Sequence, residues 1–207
     1  MQLVAKQSDP EAGLRRFNNF LTVVVIVLGL YMIVMPIWPQ LAFWIKEKTG
    51  QTGNPIAYSE TANPEDKKSK PIPKENKLVI PQMGLDVPIN EGRYASTLRN
   101  GLWHRPLSST PDKGGNTVIV GHRFTYRGPA IFYHLDKLNV NDEFAVLWNG
   151  KRLNYKVREV KVVEPTAVEI ENNSEEPILT LYTCTPMWTA KQRLVVVSDL
   201  ITEGSDE

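Results

Sequence analysis

The sequence predicts a mainly β domain, closed or nearly closed into a barrel, behind a single N-terminal membrane-spanning helix. Three observations carry that reading. Downstream of Lys77, short apolar runs alternate with turn signals, giving about eight short strands in roughly 125 residues. Near the N-terminus, the stretch from Phe17 to Ile45 holds no charged residue. Between the two, residues 46–76 are rich in Lys, Glu, Thr, Asn and Pro and too poor in large apolar groups to make a core.

Composition narrows the field further. The chain has 207 residues, 42% of them hydrophobic, and a formal net charge of +1. That balance argues against nucleic acid as a partner, because neutralising phosphates needs clustered Lys and Arg. One cysteine permits neither an intrachain disulfide nor a cysteine-rich zinc site. Fifteen prolines and thirteen glycines imply many turns and disfavour a helical bundle.

Taken in order, residues 1–16 are polar and end in Arg15 and Arg16. Residues 17–38 as a helix span roughly 33 Å at about 1.5 Å per residue, enough to cross a bilayer core. Pro36 and Pro39 are expected to end or kink it, and Trp38, Phe43 and Trp44 suit an interfacial belt. A cleaved signal peptide would have an apolar region of roughly 7–15 residues before a small-residue cleavage site. Here the run is longer and bulky residues follow it, so an uncleaved signal anchor is expected. Lys6, Arg15 and Arg16 precede the helix, while Lys46 and Lys48 balance Glu47 beyond it, so the N-terminus is expected in the cytoplasm. Residues 39–76 are read as an extracytoplasmic stalk, and residues 77–207 as the folded domain.

Within that domain, Leu78 to Ile80 and Asp86 to Asn90 are the first strands. Thr117 to Gly121 reads as a buried strand, and so does Asp142 to Trp148. Asn149-Gly150 is a two-residue hairpin signal, after which Lys151 to Glu164 returns as a long strand. Its apolar parity switches between Val157 and Val160, which predicts a bulge near Arg158. Only Ala95 to Leu98 and Ala130 to Leu138 are expected to form short helices.

The chemistry centres on the segment Ile178 to Ser198. An apolar, β-branched run leads into the lone Cys184, and a second begins at Arg193. A soft nucleophile beside a permanent cation suits acyl transfer. A free thiol has a pKa near 8.5, so it needs a base or a charge to act at neutral pH. His122, just past a strand and after a glycine, is the foremost partner. His104, in a loop, and His134, in an amphipathic segment, are the rivals. Each residue alone has a plainer role open to it: Cys184 in a core, His122 on a loop, Arg193 in a solvated ion pair.

Together these residues resemble one family. Thr180-Leu-Tyr-Thr-Cys184 is similar to the TLxTC signature of sortases, with an Arg following in the next strand. Gly121-His122-Arg123 resembles the strand end bearing that family's catalytic histidine. Ile80 to Ile89, Gly114 to His122 and Phe132 to Leu138 are also similar, so the resemblance spans about residues 78–200.

The resemblance implies a closed eight-stranded sortase-type β-barrel with short helices, and a cysteine transpeptidase. It implies Cys184 as nucleophile, His122 as general acid and base, and Arg193 as the stabiliser of substrate and oxyanion. Thr183 matches the signature threonine and is expected to help shape the substrate site, although strand alternation points it away from Cys184. Trp188, in the loop after Cys184, is expected either to pack on the substrate peptide or to anchor a lid. The implied donors are secreted proteins ending in an LPxTG-like sorting signal. The implied acceptor is an amine of a peptidoglycan precursor or a pilin lysine, at the cell membrane of a monoderm bacterium. No cofactor or metal site is assigned. Seven residues follow Leu200, so no second membrane helix is expected, and no Asp-Pro-aromatic lid precedes the barrel. These contexts are closer to classes D, E and F than to class A.

Overall fold

The computed structural model describes residues 10–49, 57–59 and 69–201. It divides the chain into two compact units, Met1–Lys48 and Thr49–Glu207. The first unit is one helix, α1 (Pro10–Lys48), whose segment Gly13–Ile45 is long and apolar enough to cross a membrane. This helix is longer than the expected 17–38 and does not end at Pro36 or Pro39. Each proline removes one intrahelical hydrogen bond, and the helix continues through both.

In the second unit, β1 (Ala57–Ser59) and β2 (Ser69–Pro71) form a small parallel ladder within the stretch read as a stalk. Ile72 then packs against Val79 and Leu147, so contact with the barrel begins ahead of residue 77. The barrel strands are β3 (Lys77–Ile80), β4 (Leu85–Asn90), β5 (Leu102–His104), β6 (Asn116–Val120), β9 (Glu143–Trp148), β10 (Lys151–Val163), β11 (Ile178–Thr185) and β12 (Gln192–Leu200). They close in the order β10-β12-β11-β6-β5-β4-β3-β9, which leaves no open sheet edge. A short hairpin, β7 (Phe124–Thr125) with β8 (Gly128–Pro129), projects from the loop after β6.

Alternation decides which residues fill the barrel. Ile119 of β6, Leu179 and Leu181 of β11, and Leu194 and Val196 of β12 point inward, with Leu78, Leu102, Phe132 and Tyr155. Leu179 and Leu181 are fully buried, and each such side chain contributes about 2 kcal/mol. The β9–β10 hairpin turns through Asn149 and Gly150, at φ 50° and 75°. Two successive positive φ values are what a tight I′ hairpin requires. Between Val157 and Glu159 the β10–β12 register shifts, at the position where the apolar parity switches.

Several short elements differ from expectation. The segment 130–138 holds only one 3-10 turn, Leu135–Lys137. Further 3-10 turns form at Pro81–Met83 and Val168–Glu171, alongside the expected one at Ala95–Asn100. The Val168–Glu171 stretch is tied to the start of β6. Asn116 donates its side-chain amide to the carbonyls of Ile170 (3.0 Å) and Asn172 (2.9 Å), while its amide oxygen accepts from Thr180.

Candidate active site

The site is one rung on the outer face of the barrel wall. Because Leu179 and Leu181 face inward, Tyr182 and Cys184 face outward. Cys184 lies directly opposite Arg193 in the antiparallel β11–β12 pair. On its other side β11 runs parallel to β6, in a register that pairs Tyr182 with Val120. The Gly121 amide then donates to the Tyr182 carbonyl at 3.3 Å, carrying the alignment past the strand end. Two residues beyond Val120 is His122, and two beyond Tyr182 is Cys184. Continued past the end of β6, that register brings His122 level with Cys184, in line with Arg193 on β12, with the core filling the opposite face of the same wall.

Within that row, His122 is exposed, and Cys184 and Arg193 are half-buried. Cys184 is a free thiol. Arg193 donates Nη1 to the carbonyls of Ala190 (3.2 Å) and Gln192 (3.0 Å). Nε and Nη2 have no partner among the described residues, and no carboxylate there pairs with this guanidinium. A cation held by loop carbonyls and otherwise uncommitted is suited to a developing oxyanion.

Three contacts position the row. Thr183 is buried and donates its hydroxyl to the Gly121 carbonyl at 2.7 Å. Arg123, 8% exposed, donates Nη1 to the hydroxyl of Thr185 at 2.8 Å and pairs through Nη2 with Asp136 at 3.1 Å. The residues after the histidine and after the cysteine are thereby clamped together. Gly121 must be glycine for a packing reason: a Cβ there would lie 2.6 Å from the Phe132 ring and 2.8 Å from Leu102. That close approach turns the chain outward at His122.

One rung below the cysteine, the Tyr182 hydroxyl donates to Glu171 at 2.5 Å. Glu171 also accepts from Arg105 Nε (3.0 Å) and Nη2 (2.7 Å), and Arg105 lies over the Trp103 ring. This network pins the Val168–Glu171 turn to the wall carrying the cysteine. Burial, with added help from the Glu171 hydrogen bond and charge, holds the Tyr182 phenol well above the usual tyrosine range.

The structure separates the three histidines. His104 points inside the barrel, 5% exposed, edge-on to Trp148. Its Nδ1 lies 3.0 Å from a Glu91 carboxylate oxygen and its Nε2 2.8 Å from the Ser109 carbonyl. Both nitrogens are occupied away from the thiol, so His104 is a structural residue. His134 sits edge-on to Tyr133, and burial lowers its pKa below the ordinary histidine value. Lys137 and Arg123 add to that shift, and Asp136 opposes it.

The Thr183 side chain is buried in the wall. Its hydroxyl is used inside the wall, so it acts on the site through Gly121, the neighbour of His122. Trp188 is 74% exposed, with its ring centroid 4.6 Å from that of Phe124. It joins the β11–β12 loop to the β7 hairpin and leaves most of its surface open. Sequence reasoning missed Arg123, Glu171 and Arg105. Arg123 meets Thr185 across 62 positions and Arg105 meets Glu171 across 66, and no local pattern announces such pairs.

A sequence profile of the sortase domain matches residues 78–201. Sortase D of Bacillus subtilis (strain 168) is 28% identical over 170 residues, spanning 79% of this chain and 78% of its own. Sortase SrtE1 of Streptomyces coelicolor is 30% identical over 142 residues, 61% of this chain and 40% of its own. Among solved structures, a Clostridium perfringens sortase D5 transpeptidase superposes with a TM-score of 0.57 at 29% identity. The match covers 62% of this chain and 79% of that one. A Clostridium perfringens sortase C, solved with the C-terminal cell wall sorting motif, gives 0.56 at 28% identity, covering 61% and 69%. With the barrel and the profile match in agreement, the chain belongs to the sortase family of cysteine transpeptidases.

Proposed function

We propose that this chain, held in the cell membrane by α1 with its N-terminus inside, cleaves an LPxTG-like sorting signal of secreted proteins and joins the product to an amine. The carrying observation is the single rung that aligns His122, Cys184 and Arg193. The Cys184 thiolate attacks the carbonyl of the motif threonine. Arg193 stabilises the oxyanion, and His122 protonates the departing amine. The thioacyl intermediate is then resolved by an amine of a peptidoglycan precursor or a pilin lysine. A peptide donor is supported by the relative solved with a sorting motif. The scheme calls for no cofactor.

The test is to incubate the full chain in detergent micelles with a library of LPxTG-like peptides and an amine, following intact mass. We expect an acyl adduct on Cys184 and a ligated product, both lost in Cys184→Ala and nearly lost in His122→Ala or Arg193→Ala. Peptide binding without any adduct would make the chain a peptide-binding assembly factor. An adduct resolved only by water would make it a hydrolase.

A further inference from the structure

A cleft of about 940 Å³ opens beside His122. Its walls are the Ala95–Asn100 turn and the loop 122–131 that carries β7 and β8. Arg99 and Arg127 line it and no Asp or Glu does, in a chain whose charges otherwise nearly cancel. Both arginines are exposed, and neither pairs with a carboxylate among the described residues. Arg127 lies over the Tyr126 ring at 5.3 Å. Gly101 forms part of the wall at φ 132°, where an added Cβ would meet Ile131 at 3.1 Å and intrude on the space. Of the three residues in the rung, His122 alone lines this cleft.

We propose that the cleft receives the acyl acceptor, and that the acceptor is an amine carrying an anionic group, either carboxylate or phosphate. The inference rests on the transpeptidase reading. An acyl acceptor must reach the base that takes its proton, whereas the acyl part of the donor must reach the nucleophile and the oxyanion cation, and the donor's departing amine vacates the side of the base that the acceptor then occupies. The cleft touches the base and neither of the others. Two unpaired guanidiniums are poor company for an ammonium ion, and their field lowers the pKa of an entering amine. The same charges attract an anion elsewhere on the acceptor, so binding is retained while the nitrogen is kept neutral. In the step itself the neutral amine attacks the thioester carbonyl. The C–N bond forms, the C–S bond breaks, Cys184 departs as thiolate, and the amine proton passes to neutral His122.

The test uses the full chain in micelles with a peptide that acylates Cys184. Product is measured for two matched acceptor pairs: triglycine against triglycine amide, and phosphoethanolamine against ethanolamine. The anionic member of at least one pair is expected to react roughly fivefold faster, as two exposed ion pairs would give. The advantage should shrink with added salt and vanish in the Arg99→Gln/Arg127→Gln variant. Whichever pair shows it identifies carboxylate or phosphate. Equal rates within both pairs would overturn the inference, as would an advantage that survives in the double variant. A double variant that no longer acylates Cys184 would assign the arginines to the donor and overturn it too. Absence of any Cys184 adduct in the unmodified chain is a separate failure, which removes the transpeptidase reading itself.

Discussion

The buried hydroxyl of Thr183 donates to the carbonyl oxygen of Gly121 at 2.7 Å, tying the strand of the nucleophile to the strand end of the base. Replacing Thr183 with Val keeps the shape and strands a buried carbonyl, at a cost of about 1–3 kcal/mol. The expected outcome is a lower urea midpoint together with slower acylation of Cys184, and Thr183→Ser should recover both. Thr183→Val with an unchanged acylation rate would show that the bond supports the barrel alone.

Arg123 holds Thr185 and Asp136 with two nitrogens of one planar group. An ammonium cannot reproduce that fork. Arg123→Lys is expected to lose about 1.5–3 kcal/mol, the range for a charged hydrogen bond, and to lower kcat more than it raises KM. Asp136→Asn, at a more exposed position, should have the smaller effect. Parallel urea melts and steady-state kinetics on both variants decide the order.

The raised Tyr182 phenol fixes the sign of a pH effect. The folded state keeps this proton at a pH where the unfolded chain has already released it, so stability falls as pH rises past the ordinary tyrosine value of 10.0. Tyr155 adds in the same direction, raised first by burial and then by Asp112. Tyr182→Phe should flatten the alkaline limb of a stability–pH curve without abolishing it. An alkaline limb identical to that of the unmodified chain would contradict the assignment.

Leu107 is fully exposed and has φ 71°, in a turn closed by the Ser108 amide on the Arg105 carbonyl. A left-handed leucine costs about 1–2 kcal/mol, and glycine returns part of that through its greater chain entropy, about 0.5–1 kcal/mol. Leu107→Gly is expected to raise Tm by roughly 2 °C in a domain of this size. A lowered Tm would mean that the leucine makes a stabilising contact.

Legibility in the sequence followed the range of each interaction. Asn149-Gly150 announced its hairpin, and the parity switch announced the shift beside Arg158, because both depend on neighbours in the chain. The strand flanking Cys184 and the strand beginning near Arg193 were readable as apolar runs, and their pairing across a loop follows from proximity. The preference for His122 rested on its place just past a strand and after a glycine, because charge and periodicity do not separate it from His104. His104 and His122 both follow short apolar stretches, and only barrel closure sends one inward and the other outward. The Glu171 network was hidden for the same reason. Its turn carries no strand or helix period, and one of its two partners, Arg105, lies 66 positions upstream.

The parallel pairing of β6 with β11 has a consequence for timing. It joins residues 62 positions apart, as Thr183 and Gly121 show. Contacts of that separation must overcome a large loop-closure entropy before they return any stabilisation, so they form late. Until they do, the thiol and the imidazole belong to unconnected stretches of a polymer. A chain that has not yet closed its barrel therefore carries both reagents without their geometry, and the enzyme arms itself only by completing that closure.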